Sequence, residues 1–157
     1  MNISTAKLLT AATFALAAAI PATTVADHDR NHKLYEGMEV YLGVSSAEEI
    51  RARLATARPE ASMHGGIPRG GNYYHVDVSL FDAKNGPRIS NALVEARVEN
   101  LRLGGETRRL EPVRINGDVS YGSYFRMPGG EPYAITLHVV RPGEPRVVEV
   151  RFDPKRY

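Results

Sequence analysis

The sequence predicts an all-β chain, folded as an immunoglobulin-like antiparallel β-sandwich of about seven strands with one short helix near residues 46–57. Three observations carry this. From Tyr73 onward apolar and polar residues alternate with a period of two. The alternating runs are separated by Asn-Gly, Pro-Gly-Gly and Pro-Gly turns at the short, regular spacing of a sandwich. Only one stretch carries helix signals, and no internal repeat is visible.

Taken in order, the first 26 residues read as a secretory signal peptide. Lys7 supplies the positive start, "LLTAATFALAAAI" the apolar run, and "TTVA" the small residues before cleavage near Ala26. The run is shorter than the roughly 20 apolar residues that span a bilayer, so a periplasmic or secreted protein is expected. Residues 27–36 begin with "DHDRNHK", which is polar and aperiodic and is expected to be mobile. Residues 37–157 are then a single sandwich domain. "GMEVYLGV" is its first strand. "SSAEEIRARLATARP" follows with a capping box, Ser46 and Glu49, ahead of Ile50 and Leu54 at helical spacing, and Pro59 ends the helix.

In "YYHVDVSLF" the residues Tyr74, Val76, Val78 and Leu80 share the core face, while Tyr73, His75, Asp77 and Ser79 face outward. "NALVEARVEN" turns Val94, Ala96 and Val98 inward. "LRLGGETRRLEPV" reads as two short strands about a Gly-Gly bend. "SYGSYFRM" places Tyr121, Ser123, Phe125 and Met127 on one side, "YAITLHVV" does the same for Tyr133, Ile135, Leu137 and Val139, and "RVVEVRF" closes with Val148, Val150 and Phe152 inward.

Composition excludes several functions. No cysteine is present, which removes disulfides, thiolate ligands, thiol catalysis and lipoprotein acylation. The net charge is +2, and loss of Lys7 with the signal lowers it by one. The arginines are scattered, so nucleic acid is not an expected partner. No nucleophile elbow, phosphate loop, dinucleotide fingerprint or His-Glu-x-x-His helix occurs, and the chain is not read as an enzyme.

Imidazole, carboxylate and thioether can hold copper or iron without cysteine. His75 and Asp77, two apart on one strand, emerge from the same face about 7 Å apart, a spacing that lets both reach one ion. Met63 and His64 lie in the glycine-rich loop before that strand and complete the candidate metal set. The plainer account of His75 and Asp77, outward residues of a half-buried strand, stays open on spacing alone. His28 and His32 lie near the expected new terminus and His138 sits mid-strand; each reads better as a tail or surface imidazole.

"GMEVYLGV", "YHVDVSLFD", "LEPV", "SYGSYFRMPG" and "YAITLHV" in this order resemble the periplasmic iron-transport accessory proteins. These are small immunoglobulin-like domains that bind copper or iron beside an iron permease. "GPRISNALVEARV" is also similar to FixH-like and YtkA-like secreted modules. The resemblance implies a non-catalytic metal-binding accessory protein with a copper or iron ion and an inner-membrane permease, or another membrane protein, as partner. It places the family's strand histidine on His75 and the acid two positions later, usually glutamate, on Asp77. Its methionine after proline falls on Val113 and its histidine before Tyr-Gly on Ser120, neither a comparable ligand, and its later histidines have no counterpart. Two readings follow. Either the loop residues Met63 and His64 replace the missing ligands, in a rearranged site at His64, His75 and Asp77 with Met63 or Met127 as a soft neighbour, or the scaffold is a metal-free interaction module presenting Tyr73, Tyr124 and Arg126 to a membrane-bound partner. Edge strands of an open sandwich also admit a homodimer.

Overall fold

A computed structural model describes residues 30–56, 66–100, 102–115 and 117–157. Eight strands and one helix follow each other along the chain: β1 (His32–Tyr35), β2 (Met38–Ser46), α1 (Ala47–Thr56), β3 (Tyr73–Asp82), β4 (Leu93–Asn100), β5 (Gly104–Ile115), β6 (Asp118–Arg126), β7 (Tyr133–Val140) and β8 (Val147–Lys155). They hydrogen-bond in the order β1-β2-β3-β6-β5-β4-β7-β8, every pair antiparallel.

β5 makes a sandwich out of this order. Its first half, to Leu110, pairs with β4. From Glu111 to Ile115 it pairs with β6 instead. One strand thus belongs to both layers, as in corners where strands switch sheets. The two short strands expected around Gly104-Gly105 are therefore one long strand. The turn falls before Gly104, whose φ of +77° suits glycine, and the change of partner falls between Leu110 and Glu111.

The alternation places the core as the sequence predicts. Val76, Val78 and Leu80 of β3 are fully buried, as are Val94 and Ala96 of β4 and Ile135, Leu137 and Val139 of β7. Val148, Val150 and Phe152 of β8 meet them from the neighbouring strand. A period-two strand with one apolar face has a single register that buries that face, so burial also fixes which residues point outward.

The polar stretch expected to be mobile is corrected in part, because residues 32–35 form an edge strand on β2. Its apolar residues Leu34 and Tyr35 stay exposed, so β1 is held by ladder hydrogen bonds and not by core burial, and alternation could not reveal it. A two-residue turn at Glu36 and Gly37, both at positive φ, closes this hairpin in the manner that matches strand twist. The helix begins where the capping box sets it. The Glu49 N–H donates to Ser46 Oγ and the Ser46 N–H to the Glu49 carboxylate, each at 3.1 Å. Among the described residues no helix is long and apolar enough to cross a membrane.

One buried polar link ties the loop between β3 and β4 to β6. The Tyr121 hydroxyl donates to the Ile89 carbonyl at 3.0 Å and accepts from the Ala92 N–H at 2.9 Å, with the residue 1% exposed. Tyr121→Phe removes both bonds and leaves two backbone groups unsatisfied. We expect a loss of about 1–3 kcal/mol in urea unfolding, with the fold retained by circular dichroism.

Candidate metal centre

Burial of Val76 and Val78 turns His75 and Asp77 to the outer face of β3, as their spacing requires. Register places their neighbours. His75 lies between Ser45 of β2 and Tyr124 of β6, and Asp77 lies between Gly43 of β2 and Gly122 of β6. On this face the strand carries an imidazole in a row with side chains and a carboxylate in a row with glycines on both sides.

The His75 ring packs at 57° to the Tyr124 ring, centroids 4.8 Å apart, and its Nε2 atom is buried. Tyr124 is 7% exposed although it faces outward. Burial raises its phenol pKa, and the nearby Arg51 guanidinium of α1 acts in the opposite sense. Arg51 also donates to the Pro68 carbonyl, joining the helix to the segment that leads into β3. The capped helix is held in this way at the His75 end of the strand.

Asp77 is half-buried. Burial alone pushes its carboxyl pKa above the ordinary 3.8, and among the described residues no hydrogen bond or ion pair offsets that cost. A desolvated carboxylate beside a partly buried imidazole is a donor pair for a divalent cation, whose charge supplies the missing compensation.

The other residues read from the sequence divide sharply. Met63 and His64 lie outside the described residues, as does His28. Met127 is corrected: it is 4% exposed and belongs to the hydrophobic core, because it shares the inward parity of Tyr121 and Phe125 and so points away from Asp77. Tyr124 is corrected as part of a docking surface, since it is buried against His75. Val113 and Ser120 stand opposite each other on β5 and β6, with Ser120 two residues from Gly122 on the outward face. His32 stacks on Tyr41 at 4.4 Å with its Nε2 3.7 Å from Glu39. His138 lies 3.5 Å from Glu149 on the opposite sheet. Among the described residues no three His, Cys, Asp or Glu side chains are grouped as a metal site.

Sequence reading passed over Arg51 and Gly43, and did not place Tyr124 or Gly122 beside His75 and Asp77. Gly43 had a signal, a glycine inside an otherwise apolar strand, which marks close approach of another group. Arg51 had none, because its neighbours come from distant parts of the chain.

Fold and register define a small all-β protein of the immunoglobulin-like class. No protein-family profile and no curated protein matches the sequence. Solved structures do share the fold. A DUF4426 family protein from Pseudomonas aeruginosa PAO1 is similar with TM-score 0.57 at 20% identity, over 80% of this chain and 92% of that one. A copper-bound variant of FetP from uropathogenic Escherichia coli strain F11 is similar with TM-score 0.59 at 12% identity, over 80% and 93%. FetP as isolated from the periplasm of an expression strain gives 0.58 at 15% identity, over 80% and 91%. The fold implied by the sequence resemblance is thus the fold these structures have.

The raised Asp77 pKa has a defined consequence for the metal-free protein. The folded state holds this proton more tightly than the unfolded chain, so between 3.8 and the raised folded value it carries more protons. Stability therefore falls as pH rises through that window. Urea unfolding of metal-free protein across the window should show this slope, and Asp77→Asn should remove it and be the more stable at neutral pH.

Proposed function

We propose that the protein is a non-catalytic periplasmic accessory protein that binds a copper or iron ion through His75 and Asp77. The observation that carries this reading is the place of Asp77, a half-buried carboxylate set between two glycines one outward position from His75, where burial raises its pKa. Structural residues in such a place are ordinarily paired or replaced by apolar ones. Copper bound to FetP, on a similar fold at low identity, supports the choice of ion. When bound, the cation supplies positive charge to Asp77. His75 gives a neutral nitrogen and Asp77 an anionic oxygen, a set suited to Cu(II) and to iron. The remaining donors in this reading are His64 and Met63. An inner-membrane permease is the partner, and the terminal strands β1 and β8 are where a second copy would add.

The metal-free interaction module is the second reading. Val113 opposite Ser120 favours it, since neither side chain matches the ligands that the resemblance puts there.

Calorimetric titration of metal-free protein with Cu(II) and Fe(II) separates the two. The metal reading expects one ion per chain at micromolar or tighter affinity. The affinity should fall about tenfold or more, ~1.4 kcal/mol, in His75→Ala and in Asp77→Asn, and fall less in His64→Ala. It should also drop as the pH goes below about 6.5, where imidazole takes up a proton. Absence of heat for both metals supports the interaction module.

A further inference from the structure

We propose that Gly43 is the positioning residue of this site: the side chain missing from β2 is the space that the Asp77 carboxylate occupies. This rests on the metal reading above. Gly43 sits in the interior of β2 directly opposite Asp77. It is not among the residues at positive φ, so the backbone does not require glycine there, and glycine inside a strand weakens it. The reason for glycine is steric. A Cβ at residue 43 would lie 2.4 Å from Asp77 Oδ1 and 2.8 Å from both Cγ and Oδ2. All three carboxylate atoms fall well inside van der Waals contact, so the carboxylate leans over β2.

The lean sets where a cation is met. On the same face, Ser45 follows Gly43 by two residues and pairs with His75. Gly43, Asp77, His75 and Ser45 are therefore the corners of one patch spanning β2 and β3, with the facing pairs Gly43–Asp77 and Ser45–His75 about 5 Å apart across the strands. Asp77 brings its carboxylate over the Gly43 corner of this patch, and Ser45 is the hydroxyl-bearing residue that faces His75. Val113 and Ser120 are on β5 and β6, on the other side of β3. A site gathered on the β2 side needs no ligand from either, which accounts for a valine and a serine at those positions.

The contact is tested first without metal, by thermal unfolding of the wild type, Gly43→Ala, Asp77→Ala and the double variant. Gly43→Ala should lower the melting temperature when Asp77 is present. In the Asp77→Ala background it should leave the temperature unchanged or raise it, because alanine loses less conformational freedom than glycine. Equal effects in both backgrounds would overturn the proposal. Copper titration and electron paramagnetic resonance then test the role. Folded Gly43→Ala should bind Cu(II) at least tenfold more weakly than the wild type, and its residual spectrum should match that of Asp77→Ala, both having lost the same oxygen donor. Wild-type affinity and spectrum in Gly43→Ala would overturn the positioning role even with a coupled melting cycle. A coupled cycle in a wild type that binds neither copper nor iron would overturn the metal reading, and with it this role, while leaving the steric contact standing.

Discussion

The register of β3 between β2 and β6 is the constraint on which the rest of the structure depends. Val76, Val78 and Leu80 are buried completely, and shifting β3 by one residue would exchange them with His75, Asp77 and Ser79. The hydrophobic effect, at about 25 cal/mol per Å² of apolar surface, thus decides indirectly where the imidazole and carboxylate stand. It also decides what stands beside them. Tyr124 reaches His75, and glycines flank Asp77, only in this register.

Packing alone does not explain why a carboxylate occupies such a place. Asp77 is desolvated where an asparagine or threonine would lose less hydration energy, and the strand opposite gives up a side chain at Gly43 to accommodate it. Both features weaken the metal-free protein. Local rules broken together, at two residues facing each other, single the pair out as a place where function or strain outweighs local preference. A bound cation reverses the sign of the first cost, since an opposite charge favours the ionised carboxylate that burial disfavours.

Much of the sandwich was legible because one-faced burial writes a period of two into the chain. The inward sets on β3, β4, β7 and β8 could be read directly, and the Ser46-Glu49 capping box marked the helix start. What escaped was set by interactions without periodicity. β1 is held by hydrogen bonds and leaves its apolar side chains in solvent. β5 changes partner between Leu110 and Glu111, a fact of three-dimensional closure. Met127 as a soft neighbour of the site ran against a parity with Tyr121 and Phe125 that was already legible, and that parity sends it into the core. His75 and Asp77 could be put on one face from spacing. That Asp77 leans toward β2, over Gly43, required coordinates, because a glycine in "YLGV" does not say which neighbour needs the room.

The most direct measurement of the central claim is anomalous diffraction from crystals of the protein grown with copper and collected at the copper edge. The account predicts a single strong peak within coordination distance of a His75 ring nitrogen and an Asp77 carboxylate oxygen, on the β2 side of β3. A peak bound elsewhere, or an Asp77 carboxylate that stays metal-free under saturating copper, would contradict it.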